Sequence, residues 1–306
     1  MANALDRAIV RLLPAVPKPI VRKISERYIA GSTLEDACRV VRELNASGKM
    51  GTIDVLGEEL DDPEQTRQVV RAYDEVFDAI EREGLDSNVS VKLTALGLKL
   101  SYDLCRENLR AVVAHAAESG NFVRIDMEDS SCTADTLRLY RRLREEGLEN
   151  VGIVLQSRLR RTLRDIRALS DLEPNVRLCK GIYLEPPLIA YQEFQEIRDN
   201  FVGALDLLLS KGCYVGIATH DEWLLEQSLA RVAGLEPGEY EFQMLLGVRR
   251  LRGDALVREG HRLRIYVPFG EHWYRYSLRR LQENPKIAGY IASDTLGRLF
   301  GSNGRP

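Results

Sequence analysis

From residue 50 onward, short apolar segments alternate regularly with longer segments of helical period. We count eight apolar runs: GTIDVLGE (51–58), NVSVKLTAL (88–96), FVRIDMED (122–129), VGIVLQS (151–157), VRLCKGIY (176–183), YVGIATHD (214–221), YEFQMLLGV (240–248) and LRIYVPFG (263–270). Segments between them, such as DPEQTRQVVRAYDEVFDAIEREG, carry apolar residues at helical spacing and end at glycine. Nearly continuous apolar strands, each followed by a helix, predict parallel strands buried on both faces.

The number and spacing of these units predict an α/β fold. Eight units over about 250 residues match the size of a β/α barrel of the TIM type. We predict an N-terminal helical arm over residues 1–45, the barrel over residues 46–300 and a flexible tail over residues 301–306. No G-x-G-x-x-G sequence follows a strand, so a doubly wound dinucleotide domain has little support.

The segment after the last strand contains a helix with an unusual polar face. At 100° per residue, Tyr276, Arg279, Arg280 and Glu283 fall on one side of it. Two guanidiniums beside a tyrosine suit a small carboxylate, because each planar guanidinium can grip both oxygens. An ordinary solvated face would show the same pattern, and this segment alone does not separate the two interpretations.

Composition excludes several classes of protein. The chain has 306 residues, 44% hydrophobic and 29% charged, with a net charge of -3, which is typical of a globular protein with no nucleic-acid partner. Its five cysteines are scattered without a metal-like cluster, which predicts free thiols in a reducing cytoplasm and no structural metal. The basic, apolar N-terminus is interrupted by Pro14 and Pro17, so it is no signal peptide. It is either a helical arm packed on the barrel or an interfacial helix that touches anionic lipid.

Polar residues near the ends of the strands are candidates for a site, because β/α barrels carry their active sites at the carboxyl ends of the strands. Each of them alone could simply reach solvent. Together, Lys92, Arg177 and Lys180 near Arg279 and Arg280 would place five positive groups at one mouth. Such a mouth predicts an anionic guest, either a diphosphate-bearing cofactor or a carboxylate substrate.

Seven segments carry a family resemblance: SVKLTALG, RIDMED, VRLCKGIY, ATHD, EFQMLLG, RIYVPFG and YSLRRLQENP. In this order and spacing they resemble the proline dehydrogenase family over roughly residues 50–290. The resemblance implies a distorted β/α barrel that binds FAD, with the last helix over the barrel mouth. The family's bifunctional members carry a second, aldehyde-oxidising domain, and from the 306 residues of this chain we expect the single-function, bacterial-type form.

The resemblance also implies roles for individual residues. Asp126, Arg177 and Tyr183 are expected to be catalytic, with Arg177 close to the flavin N5 and Asp126 hydrogen-bonded to Lys92 and Tyr266. The expected substrate-binding residues are Lys92, Tyr266, Tyr276, Arg279, Arg280 and Glu283. The expected FAD-binding residues are Met127, Gln156, Arg177, Lys180, Gly181, Ile182, Thr219 and His220. Tyr266 favours proline over hydroxyproline as the substrate.

The reaction implied is oxidation of L-proline to Δ1-pyrroline-5-carboxylate, the first step of proline catabolism to glutamate, with electrons passed to a membrane quinone. A cytoplasmic protein with peripheral contact at the inner membrane surface is expected, and a homo-oligomer is compatible with it. Two alternatives remain. One is a Schiff-base aldolase that uses Lys92 or Lys180 on the same barrel, and the other is a non-catalytic barrel that binds an amino acid.

Overall fold

The computed structural model describes residues 27–57, 60, 62–271 and 273. Within them eight parallel strands close into a barrel in sequence order, with β1 pairing both β2 and β8. The strands are β1 Met50–Val55, β2 Ser87–Val91, β3 Val123–Ile125, β4 Val151–Gln156, β5 Val176–Cys179, β6 Val215–Ala218, β7 Tyr240–Leu245 and β8 Leu263–Phe269. The predicted β/α barrel is therefore confirmed.

Helices connect the strands and form the outer layer. They are α1 Leu34–Ala46, α2 Pro63–Glu83, α3 Tyr102–Glu118, α4 Ser130–Glu145, α5 Thr162–Leu169, α6 Phe194–Ser210, α7 Glu222–Val232 and α8 Arg250–Arg258, with a 3₁₀ turn at Ser170–Leu172. Local sequence fixes several helix starts. Thr33 and Asp36 form a capping box before α1, and the Asp62 side chain accepts the Glu64 N–H before α2.

Part of the predicted N-terminal arm lies against the barrel. Helix α1 packs on β1 and β8, and the Ala30 N–H donates to the Pro268 carbonyl at 2.9 Å. Residues 1–26 and 274–306 lie outside the described residues. The predicted boundaries between the arm, the barrel and the tail stay predictions. No helix in the described part of the chain is long and apolar enough to span a bilayer.

The apolar core lies between the strands and the helices. Ile53, Val89 and Val123 are fully buried in one cluster with Phe77 of α2 and Phe201 of α6. These strand residues alternate with polar neighbours that lie inside the barrel. Burial of the outward apolar face against the helices thus supplies most of the hydrophobic stabilisation.

The inside of the barrel is polar. Arg177 of β5 bonds to Ser90 of β2 and to Gln243 of β7, and neither strand is a neighbour of β5, so these contacts cross the interior. Arg264 of β8 pairs with Glu241 of β7 at 2.8 Å. The sequence led us to expect strands that are almost wholly apolar. The structure differs, because alternate strand residues carry a polar network that the apolar outer face conceals.

Candidate active site

A cavity of about 850 Å³ opens at the carboxyl ends of the strands. It is lined by twelve of the residues predicted for the site, and they come from the ends of β2 to β6 and from β8. These are Lys92, Asp126, Met127, Gln156, Arg177, Lys180, Gly181, Ile182, Tyr183, Thr219, His220 and Tyr266. The structure thus brings together every predicted site residue that it describes. Tyr276, Arg279, Arg280 and Glu283 lie outside the described residues, and their roles stay predictions.

Lys92 is held by a residue that sequence reasoning did not select. Its ammonium donates to both oxygens of Asp54, at 2.7 and 2.8 Å, and lies 3.3 Å from the Tyr266 hydroxyl. Asp126, which we expected to orient Lys92, is 3.9 Å from the ammonium. Asp54 is fully buried, and this burial raises the pKa of its carboxyl, while the positive charge of Lys92 acts in the opposite direction.

Asp126 joins two other residues of the cavity. One of its oxygens accepts from the Arg177 guanidinium at 2.8 Å, and the other accepts from the Tyr266 hydroxyl at 2.8 Å. The expected contact between Asp126 and Tyr266 is therefore present. With a donor on each oxygen, Asp126 is poorly suited to remove a proton from a substrate.

Arg177 crosses the barrel below the cavity. Its Nε donates to Gln243, and its Nη1 donates to both Ser90 and Asp126. Its Nη2 is buried and has no hydrogen-bond partner among the described residues. An unsatisfied buried donor is costly, so a ligand acceptor placed in the cavity would be stabilised at this position.

Lys180 belongs to a second charged group, which it forms with Asp221 and Arg198. Asp221 accepts from Lys180 at 3.0 Å and from two nitrogens of Arg198, and both cations lie over the ring of Phe194. Burial works to raise the pKa of Asp221, but the hydrogen bonds from Arg198 and Lys180 outweigh it and lower the pKa to about 2. Asp221 is therefore a carboxylate at neutral pH.

The three described cations that we expected to make the mouth strongly positive are each paired with a carboxylate. Lys92 pairs with Asp54, Arg177 with Asp126 and Lys180 with Asp221. The described part of the cavity therefore does not carry the excess of positive charge that the sequence suggested. These pairs also weigh against a Schiff-base role, because an ammonium engaged by a carboxylate is a poor nucleophile.

Hydrogen bonds fix the remaining predicted residues. The Gln156 amide donates to the carbonyls of Met127 and Glu128, at 3.0 and 3.2 Å. Gly181 follows with φ of 89°, in the left-handed region, and an added Cβ would lie 3.0 Å from the Gln156 side chain. His220 accepts the Leu245 N–H on Nε2 at 2.9 Å, so this nitrogen is not available as a general base.

A second cavity, of about 540 Å³, lies at the amino ends of the strands. Its wall includes Arg124, Glu241 and Arg264. Burial, together with the nearby positive charge of Arg177, lowers the pKa of Arg124 to about 9. Because the amino end of a β/α barrel normally serves stability, and because Glu241 and Arg264 are paired, we place the active site at the other end.

The sequence analysis did not select Asp54 or Ser90 as functional candidates, and it noted Gln243 as a polar residue of the seventh strand without giving it a role. A signal was present, since each is a polar residue inside a run that is otherwise apolar. The sequence does not indicate which acid pairs with Lys92. Its spacing does not distinguish Asp54 from Asp126 as the nearer carboxylate.

Comparison with known proteins agrees with this architecture. The proline dehydrogenase family model matches residues 37–292 of the chain. The chain belongs to the proline dehydrogenase family. It is 38% identical over 274 residues to proline dehydrogenase 1 of Bacillus subtilis subsp. natto, covering 89% of this chain and 90% of that protein. It is 37% identical over 279 residues to the proline dehydrogenase of Deinococcus radiodurans, again covering 89% of this chain and 90% of its relative.

The bifunctional relatives of this proline dehydrogenase family member are more distant. Bifunctional protein PutA of Escherichia coli is 26% identical, with 94% of this chain and 26% of that protein covered. The crystal structure of proline utilization A from Bdellovibrio bacteriovorus inactivated by N-propargylglycine has a TM-score of 0.82 and 23% identity, covering 97% of this chain and 38% of that one. The latter likeness concerns the fold. Family membership establishes an oxidoreductase that acts on CH–NH donors and oxidises proline.

Proposed function

We propose that this proline dehydrogenase uses FAD to convert L-proline to Δ1-pyrroline-5-carboxylate and passes the electrons to a membrane quinone. This reaction would be the first step of proline catabolism to glutamate. The observation that supports it best is the buried Nη2 of Arg177, which has no hydrogen-bond partner in the described part of the chain and lies beneath a cavity of about 850 Å³. Ligand sites typically measure about 300 to 1,000 Å³, so the cavity suits a cofactor with a small substrate beside it.

The cavity residues fit FAD. Nη2 of Arg177, which no described residue engages, would donate to the ring system, and Gly181 allows the backbone to approach a ligand closely. Gln156 and Met127 would contact the isoalloxazine, and Lys180, Gly181, Ile182, Thr219 and His220 would follow the rest of the cofactor. When bound, the flavin accepts the hydride from the proline ring.

The diphosphate of the cofactor would lie near the charged group formed by Lys180, Asp221 and Arg198. A diphosphate near Lys180 would compete with Asp221 for the same ammonium. Arg198 also donates to Asp221 and would keep that carboxylate neutralised if Lys180 turned toward a phosphate. We therefore propose that Arg198 supports cofactor binding from behind Asp221.

The substrate would lie over Lys92, Tyr266 and Tyr183. Because Asp54 already balances the charge of Lys92, we propose that Arg279 and Arg280 supply most of the attraction for the proline carboxylate. Glu283 would position one of these arginines, and Tyr276 would contact the proline ring. Asp126 would act by holding Tyr266 and Arg177 in place.

An absorption spectrum of the purified protein tests the cofactor and the reaction together. Bound flavin should be visible, and its absorbance should bleach when proline is added without oxygen. A colourless protein that is trapped by borohydride with a carbonyl substrate would instead support the aldolase alternative. Flavin-free binding of proline without turnover would support an amino-acid-binding barrel.

The role of the arginine pair needs a separate test. Arg279→Ala or Arg280→Ala should weaken proline binding by about 2 to 5 kcal/mol, the usual cost of removing one partner of a buried charged pair. Arg231→Ala is the control, since this arginine pairs with Asp206 on the outer helices. Equal proline affinity in all three variants and the parent protein would refute the proposed carboxylate contact.

The partners follow from the same proposal. Besides the quinone, we propose that the protein is cytoplasmic and makes peripheral contact with the surface of the inner membrane, aided by the basic residues 1–30. A homo-oligomer is compatible with this proposal. Deletion of residues 1–30 that leaves both liposome binding and quinone reduction unchanged would count against the role of this segment.

A further inference from the structure

Exposed apolar side chains are concentrated at one place on the described surface. Seven large hydrophobic residues are exposed among the residues that the structure describes, and five of them lie between β5 and the first residue of α6. The seven are Leu100, Ile182, Leu184, Leu188, Ile189, Phe194 and Leu251. All seven follow the carboxyl end of a strand, on the side of the barrel where the cavity opens. We call residues 182–194 the mouth loop.

The mouth loop is fastened by polar contacts. The Arg160 N–H donates to the Ile189 carbonyl at 3.0 Å, and the Tyr191 N–H donates to the Arg158 carbonyl at 2.9 Å. Arg160 Nε donates to the Pro187 carbonyl at 2.8 Å. Despite these ties, Leu184 is 96% exposed and Leu188 is 92% exposed. The loop backbone is thus held in a shape that directs leucines into solvent, which is costly unless something covers them.

The neighbouring connection adds positive charge. Residues 158–164 contain four arginines, of which Arg161 pairs with Asp165 at 2.6 Å. The mouth loop itself contains two acids, Glu185 and Glu193, so the arginines remain in excess. Arg160 lies over the Tyr191 ring at 4.4 Å and has no carboxylate partner within the described ranges. Arg164 is 75% exposed and lies 3.9 Å from Asp165, whose shorter contact is with Arg161. Apolar tips beside arginines are complementary to an anionic lipid surface, where leucines enter the acyl region and arginines remain near the headgroups.

The mouth loop also forms part of the cavity wall. Ile182, Tyr183, Leu184 and Phe194 line the cavity, so the exposed apolar surface continues into the site. A lipid-dissolved electron acceptor that enters past this loop would not have to cross water. The loop alone is too small for a stable dimer, because exposed patches of this kind are on the order of a few hundred Å², whereas a stable interface buries about 800 Å² on each partner.

We infer that the mouth loop is the surface by which this protein docks on an anionic bilayer, with Leu184 and Leu188 inserted and the adjacent arginines near the headgroups. The inference rests on the proposed quinone acceptor for its purpose, but vesicle binding can be measured without turnover. It places the cavity opening against the membrane.

The test compares two matched leucine variants of the full-length protein. Leu188→Asp removes an apolar tip that does not line the cavity, and Leu251→Asp makes the same change at a side chain that is 85% exposed after β7. Binding is measured by co-sedimentation with vesicles of phosphatidylglycerol and phosphatidylcholine. Leu188→Asp should weaken binding about 30-fold, and Leu251→Asp should leave it close to that of the parent protein.

A charge variant and two electron acceptors complete the test. Arg164→Gln should weaken binding to anionic vesicles about fivefold and leave binding to pure phosphatidylcholine unchanged. Leu188→Asp should lose turnover with a vesicle-embedded quinone and keep turnover with a soluble acceptor. If the parent protein oxidises no proline with the soluble acceptor, the proposed function fails, while the vesicle measurement still decides the docking surface.

Three results would overturn the inference. Unchanged vesicle binding by Leu188→Asp would show that the loop does not reach the lipid. An equal loss of vesicle binding in Leu251→Asp would show that any exposed leucine at this end of the barrel contributes to binding, and that the mouth loop has no special role. Conversion of a dimeric parent protein to a monomer by Leu188→Asp would show that a second copy covers the loop.

Discussion

Replacement of Asp54 by asparagine should destabilise the protein strongly, although the two side chains have almost the same shape. Asp54 is fully buried, the Lys92 side chain is 6% exposed, and the two make hydrogen bonds of 2.7 and 2.8 Å. Asparagine leaves the buried ammonium with Asp126, 3.9 Å away, as a distant carboxylate. Breaking a buried pair in this way costs about 3 to 5 kcal/mol, and we expect the lower end because the amide oxygen still accepts one bond. The free energy of unfolding in urea measures the loss.

A matched control separates burial from ion pairing as such. Asp206→Asn makes the same change in the Asp206–Arg231 pair, which has an N–O distance of 2.7 Å but a half-exposed carboxylate. This variant should lose no more than about 1 kcal/mol. In addition, the double variant Asp54→Leu and Lys92→Met should be more stable than Asp54→Asn, because it leaves no uncompensated charge. If Asp54→Asn and Asp206→Asn lose similar amounts, the reasoning about the buried pair is wrong.

Three further predictions concern the cofactor wall, the acid limb of stability and the amino end of the barrel. Gly181→Ala should reduce the flavin content of the purified protein, measured by absorbance, because its φ of 89° and the nearby Gln156 disfavour a side chain; normal flavin content would contradict this. The pKa of Asp221 is lowered from 3.8 to about 2, so its stabilising contribution is complete above pH 4 and is lost as the pH falls toward 2. Between these pH values, Asp221→Asn should therefore lose less unfolding free energy than the parent protein. Gly152→Ala should cost about 1 to 3 kcal/mol in urea unfolding, since the new methyl would lie 2.5 Å from Arg124 Nη1, and unchanged stability would show that this contact relaxes freely.

The barrel could be predicted from the sequence because its main requirement is repeated eight times. Each strand needs a short run that buries apolar side chains against helices, and each helix needs a matching apolar face. The sites near the strand ends followed from the same pattern. For this reason Lys92, Gln156 and Tyr266, which are far apart in the chain, were expected at one mouth and do line one cavity.

The pairing of charges could not be predicted in the same way. Whether Lys92 contacts Asp54 or Asp126 depends on differences of about 1 Å across a closed barrel, and chain spacing does not encode them. The expectation of five positive groups at one mouth considered Asp126 as a counter-charge but not Asp54 or Asp221, which pair with Lys92 and Lys180. Arg279 and Arg280 lie outside the described residues, so the charge of the whole mouth stays a prediction. Helix-period reasoning also gave no indication of the exposed leucines in the mouth loop, because they lie in a connection without regular structure.

The polar interior has a consequence for how such a protein can change over time. Two buried cations are each paired with an acid from a neighbouring strand, Lys92 with Asp54 and Arg264 with Glu241. Replacing one member of such a pair leaves the other charge buried without a partner. Substitutions that are harmful alone therefore become tolerable when both members are replaced together. During evolution, substitutions inside this barrel should therefore occur in pairs on neighbouring strands, whereas residues of the outer apolar layer can be replaced one at a time.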